Sequence, residues 1–269
     1  NIGFDCQSSL ETMNRHESWY PYNKGGEFRR WYGNQEHVVY WHEGGRDIKN
    51  FCNDEGRIKS RPQNQTFYFK PSISWSKISS ALPAFRFYPQ GFIFDVAGTS
   101  IFTDYANERE QILNFANSVV ARKLLQILSP TLNFEVGHIA SLPMIFSRSH
   151  SLTNLSDNLV TLSKNDWDAY ETSWDFEQLP YLAEDLKAGT LAASYQNWLE
   201  KSASDVARMK ELEEENNRLF IEAYGLEGEL SPEVPLEEIT LTVNPVYRYG
   251  AGRSEDEYAA RFSEDSLQE

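Results

Sequence analysis

The apolar residues of this chain change period near residue 150, and that change fixes which architectures are open to it. Before it, HVVYW, TFYFK, FRFYP, GFIFDVAG and SIF are short aromatic and β-branched runs, separated by NKGGE, HEGGR, RPQNQ and YPQG. Runs of this length bounded by Gly, Pro and Asn read as strands and turns. After it, Leu152, Leu155, Leu159 and Leu162 step by 3, 4 and 3, and Met209, Leu212, Asn216, Leu219 and Ala223 by 3, 4, 3 and 4. That is the period of a helix with one apolar face, and the second set has the form of a coiled-coil seam with a polar residue in its middle. The expected fold class is α+β. An α/β unit covers 1–150, a helical, coiled-coil-like unit 151–226, and an acidic segment 227–269.

Within the first unit NEREQILNFANSVVARKLLQIL reads as one amphipathic helix ended by Ser129-Pro130, and LNFEVGHIASLPM as a closing strand pair. In the second, Trp167, Tyr170 and Trp174 extend the stripe of the leucines, and a long helix runs from about Leu191 to Tyr224. Joined through Pro180, two such helices form an antiparallel hairpin. Glu211, Glu213, Glu214 and Glu215 read as its solvated face, ITLTV as a strand, and SEDEYAARFSEDSLQE as an exposed or truncated helix.

Charge follows the same division. Residues 1–150 hold 16 Lys+Arg against 14 Asp+Glu, whereas residues 151–269 hold 9 against 26. A surface that meets a polyanion therefore belongs to the first unit. The hydrophobic content of 40% is ample for a core, and no apolar run is long enough to span a bilayer. Residues 1–20 lack the basic and apolar regions of a secretion signal, and the first residue is not Met, so a cytoplasmic piece of a longer protein is expected. Cys6 and Cys52 are the two cysteines and read as free thiols.

Few residues offer catalytic chemistry. NPVY at 244–247 approaches the Asn-Pro-Pro-aromatic loop with which adenine amino-methyltransferases hold a flipped base. The second proline is replaced by Val246, however, and no glycine-rich loop for S-adenosylmethionine accompanies it. His37, His42 and Glu43 fit neither HExxH nor a structural zinc spacing. AGTS around Ser100 lacks the GxSxG elbow, and phosphate-binding glycine loops are absent. No catalytic residue, metal ligand or cofactor site is expected in this chain.

The basic and aromatic residues of the first unit carry more. WYPYNKGGEFRRWYGN sets Arg29 and Arg30 beside Trp31 and Tyr32. Between Arg57 and Arg86 lie Arg57, Lys59, Arg61, Lys70, Lys77 and Arg86 without any acid. A run of this kind favours phosphate contacts, and Gln63, Asn64 and Gln65 carry the amides that pair with adenine edges. A plain charged rim around a β-rich core gives the same pattern.

Three ordered stretches, WYPYNKGGEFRRWYGN, RPQNQTFYFKPSISWSKISS and FRFYPQGFIFDVAGTSIF, resemble the target-recognition region of the adenine-specific DNA methyltransferases of BREX systems. Those enzymes are related to the large single-chain type IIG restriction-modification proteins. The resemblance runs on through LLQILSPTLNFEVGHIASLPM, NDWDAYETSWDF and KELEEENNRLFIEAYGLEGELSPEVPLEEITLT to NPVYRYG, covering nearly all of the chain beyond residue 18. It implies phage defence and a catalytic domain upstream that binds S-adenosylmethionine and methylates adenine N6. It also implies double-stranded DNA as partner, with other BREX proteins alongside.

Under this resemblance residues 1–150 are the target-recognition domain and the helices are a spacer. The expected DNA face holds Arg29, Arg30, Arg61, Lys70, Lys77 and Arg86, with Trp75 and the Gln63-Asn64-Gln65 turn near the bases. Two other classes stay open on composition alone. A carbohydrate-binding module would use exposed aromatics, and a docking region would use the acidic half.

Overall fold

The structure, a computed structural model, describes residues 1–79, 82–129, 131, 133–146 and 151–268. Its chain forms two compact units, Asn1–Asn117 with Ala121–Ser147, and Ser118–Val120 with Arg148–Glu269. Both strands and helices are present, in two three-stranded sheets and eight α-helices among the described residues, so the fold class is α+β.

In the first unit β1 (Trp19–Asn23) is flanked by antiparallel β2 (His37–Tyr40) and, beyond α1 (His42–Lys49), by the parallel β5 (Ile93–Phe94). The second sheet places β3 (Ser72–Ser76) between β4 (Phe85–Tyr88) and β6 (Gly98–Ile101), both antiparallel. The two sheets are joined by the buried Asn23. Its side-chain amide donates to Ser74 Oγ at 2.6 Å and the Gly98 carbonyl at 3.2 Å, and its Oδ1 accepts from Gly25 N at 3.1 Å. Gly98 is required there, because a Cβ would lie 2.3 Å from Asn23 Oδ1 and 2.5 Å from its carbonyl oxygen. Around Tyr20, Trp41, Tyr68, Phe69 and Ile93 an aromatic core closes over the first sheet.

Several local expectations change. TFYFK is a 3-10 turn at Gln65–Phe67 followed by Phe69 with φ 70°, while WYPYN and SISWS supply central strands. Alternation decides this: SISWS buries both faces, so it lacks the two-period contrast that marks a half-exposed strand. The single helix over 107–128 is two, α2 (Ala106–Ala116) and α3 (Val119–Leu128). Asn117 interrupts them because its side chain grips strand residue Phe85, accepting from its N–H at 3.0 Å and donating to its carbonyl at 2.9 Å. The closing strand pair is instead the short helix α4 (Val136–Ala140), capped reciprocally by Glu135 and His138. Pro130 and Leu132 lie outside the described residues.

The second unit is helical, from α5 (Ser151–Asp168) through α6 (Leu191–Tyr224) to α7 (Pro245–Tyr249) and α8 (Glu255–Gln268). Thr190 Oγ1 accepts from Ala193 N at the start of α6, and Gly225 with φ 66° ends it. Leu155 and Leu159 of α5, like Met209 and Leu212 of α6, are buried, and the two helices pack together. The seam then moves to Phe220 and Ile221, leaving Leu219 half-buried and Ala223 exposed. Glu213 is buried rather than solvated, and Trp174 is exposed rather than part of the stripe. ITLTV is a turn, held by Asp166, whose carboxylate accepts from Thr242 N at 2.7 Å and Val243 N at 3.0 Å. The last helix is anchored, because Phe262 stacks on Trp198 with ring centres 5.5 Å apart.

Candidate nucleic-acid interface

Burial divides the ten expected DNA-contact residues into two groups. Arg29, Arg30, Arg86 and Trp75 are 4, 5, 1 and 1% exposed, and the expectation that they form an open basic face is corrected. Arg86, in the middle of β4, donates from Nη1 to the Arg29 carbonyl at 3.0 Å and from Nη2 to Ser76 Oγ at 3.1 Å. Arg29 Nε donates to the Tyr32 carbonyl at 2.8 Å, and the Arg30 guanidinium lies 5.3 Å above the Phe28 ring. Trp31, with φ 69°, is bound on both sides to β4 through Phe85 O and Phe87 N. The Arg-Arg-Trp-Tyr stretch is thus a strap held onto β4 by the Trp31 backbone and by Arg86 of that strand. Trp75 belongs to that sheet, its indole N–H donating to the Phe134 carbonyl at 2.8 Å.

The other six are not buried, and of these Arg61, Gln63, Asn64 and Lys77 line one cleft of about 710 Å³ within the first unit. Arg61 is exposed and makes no ion pair among the described residues, as do Arg57 and Lys59 on the loop before it. Lys70 is also exposed, its ammonium 5.6 Å above Phe67, a ring of the same cleft. Gln63 and Asn64 hold their side-chain amides outward, without a hydrogen-bond partner among the described residues, and Asn64 adopts φ 55°. Gln65 turns inward to the Pro62 carbonyl at 3.2 Å. Lys77 is neutralised in space although no acid is near it in sequence: its Nζ lies 3.1 Å from Glu135 Oε1, and that contact holds the Glu135 carboxyl below its ordinary range.

The walls of the cleft were not anticipated. Trp41, Tyr68, Phe94, Phe102 and Phe67 form a continuous chain of rings, with centroids 4.9 to 5.2 Å apart. At its polar end Tyr22 donates to Asp95 Oδ2 at 2.7 Å, and Ala97 N and Gly98 N donate to Asp95 Oδ1. Burial and the Asp95 carboxylate both push the Tyr22 and Tyr68 phenols up. Tyr68 is buried over its ring, while its hydroxyl, without a hydrogen-bond partner among the described residues, is open to the cleft. Asp95 sits inside GFIFDVAG, where the sequence shows only a strand, so the cue for it was the turn after Phe94.

NPVY has a structural task. Asn244 caps α7, accepting from Val246 N at 3.1 Å, while its amide donates to the Leu236 and Ile239 carbonyls at 2.7 and 2.8 Å. With both ends of the amide engaged, it does not fit the holding of a substrate amine. No His, Cys, Asp and Glu cluster of metal-binding form occurs among the described residues, and no helix is long and apolar enough to cross a membrane.

The chain is homologous to a region of adenine-specific methyltransferases. It is 37% identical over 238 residues to the adenine-specific methyltransferase PglX of Lacticaseibacillus casei strain Zhang, covering 87% of this chain and 20% of that protein. It is 28% identical over 265 residues to the adenine-specific methyltransferase BrxX of Escherichia coli O9:H4 strain HS, covering 97% of this chain and 21% of that protein. The chain thus spans about a fifth of the length of these relatives. No family model matches it.

Proposed function

We propose that this chain is the target-recognition region of an adenine-N6 DNA methyltransferase that acts in phage defence in the cytoplasm. In this reading the first unit meets double-stranded DNA, the helical unit acts as a spacer, and the acidic surplus of that unit serves protein partners. The observation that carries it is the 37% identity over 87% of the chain to an adenine-specific methyltransferase. The exposed edge agrees with it: Arg57, Lys59, Arg61 and Lys70 offer phosphate-binding cations, and Gln63 and Asn64 offer free amides, on one continuous segment. S-adenosylmethionine would be bound by another part of the parent enzyme, since Asn244 is committed to its helix cap and the glycine-rich loop is missing.

Duplex binding by the full-length protein, measured across a series of salt concentrations, tests this reading. Arg61→Ala and Lys70→Ala are each expected to weaken all duplexes alike and to lower the salt slope by about 1. Unchanged affinity and slope in the double variant would refute the placement of the duplex on this edge.

A further inference from the structure

We infer that the aromatic cleft beside Arg61 is a pocket for a nucleobase turned out of the bound duplex, separate from the adenine that is methylated. The inference rests on the recognition reading above and adds a ligand subsite to it. Three features of the cleft support it together.

The first is its walls. A volume of about 710 Å³ exceeds what a base with its sugar needs, and the mutually packed rings of Phe94, Phe102 and Phe67 are part of its lining. Base–aromatic stacking tolerates every base, because each has a π-face.

The second is an unfinished hydrogen-bond set. Asp95 Oδ1 accepts from two backbone N–H groups, whereas Oδ2 accepts only from Tyr22, which leaves one acceptor position. The Tyr68 hydroxyl lines the same cleft with no partner among the described residues. The ring of Tyr68 is buried while its hydroxyl opens on the cleft, where it is free to meet a ligand. One free acceptor and one hydroxyl able to donate match the paired donor and acceptor on the Watson–Crick edge of a base. An aliphatic side chain would leave that pairing unused.

The third is the rim. Arg61 stands at the cleft without an ion pair, and Asn64 presents its amide from a left-handed backbone position. A base reaching the cleft stays tied to its strand, so phosphates must pass its mouth. The Arg61 cation in the lining of the cleft answers that need.

The test uses the full-length protein and duplexes carrying its own methylation site, identified beforehand from host DNA. In each duplex the nucleotide opposite one base is replaced by an abasic site, which removes the pairing cost of extruding that base. At one position other than the methylated adenine, binding is expected to tighten by about tenfold. Tyr68→Phe and Phe94→Ala should each remove most of that gain, while Arg61→Ala weakens all duplexes and leaves the gain in place. Tyr68→Phe deletes a hydroxyl with no partner in the protein, so a purely structural role predicts no effect on the gain. If no position other than the methylated adenine shows a gain, the base pocket is wrong, while the duplex edge stands on its salt slope. If the Arg61→Ala, Lys70→Ala double variant binds every duplex as the parent does, the placement of the duplex on this edge fails and the pocket falls with it. Competition by a free deoxynucleoside monophosphate at lower concentration than the abasic duplex would assign the cleft to a soluble nucleotide and overturn the inference.

Discussion

Replacing Arg86 by methionine separates a structural arginine from a binding one. The guanidinium donates to the Arg29 carbonyl at 3.0 Å and Ser76 Oγ at 3.1 Å, with a longer contact to the Glu27 carbonyl at 3.4 Å. Two charge-assisted bonds are worth about 1.5–3 kcal/mol each. Removing a buried charge recovers part of this, because desolvating that charge was itself costly. Methionine roughly conserves the apolar stem, so little cavity forms and the net loss is about 2–3 kcal/mol. For a unit of this size that corresponds to a melting temperature lower by roughly 6–12 °C. Thermal unfolding of the chain followed by near-ultraviolet circular dichroism, sensitive to the buried Trp31 and Trp75, measures it. Arg61→Met, at an exposed side chain without a protein partner, should stay within about 0.5 kcal/mol of the parent. An Arg86→Met chain as stable as the parent, or an Arg61→Met chain equally destabilised, would refute the assignment of roles by burial.

Asn23→Ala should cost about 2–3 kcal/mol in chemical unfolding, since it strips the donor and acceptor that tie β1 to the second sheet. Asp166→Asn should lower stability by about 1–2 kcal/mol, because an amide keeps only one of the two oxygens that accept from Thr242 and Val243. Burial pushes the Tyr20 phenol up to about 12 from an ordinary value of 10.0. The unfolded chain therefore loses that proton first, so the contribution of Tyr20 is intact below pH 10 and is lost as pH rises toward 12. Spectroscopic titration should show this tyrosine ionising after the exposed ones. Thiol reagents should modify the exposed Cys52 quickly and the buried Cys6, whose thiol burial also pushes up, only on unfolding.

Periodicity carried the helical half of the fold, and local chemistry defeated the rest. The limits of α6 were legible because its start is a threonine cap and its end a glycine. The break between α2 and α3 was not, because Asn117 stops the helix by binding Phe85, which is 32 positions away. The candidate site divides in the same manner. Exposure of Arg61, Gln63, Asn64 and Lys70 agrees with their polar, turn-rich surroundings. Arg29, Arg30 and Arg86 look identical to them in one dimension, yet all three are buried, and Arg29 and Arg86 satisfy carbonyls of a strap folded onto β4. Lys77 shows the opposite failure, since an acid-free run in sequence says nothing of Glu135 arriving from α4's start. The cleft itself was invisible, because its aromatics come from five separate segments.

Genome-wide mapping of N6-methyladenine in cells that carry the full-length protein tests the central claim most directly. Asn64→Ala should relax methylation at one position of the target, a loss of roughly 1–3 kcal/mol in discrimination, whereas Lys70→Ala should lower methylation at all sites without changing the sequence recognised. Both variants methylating the parent's sites to the parent's extent would contradict the account.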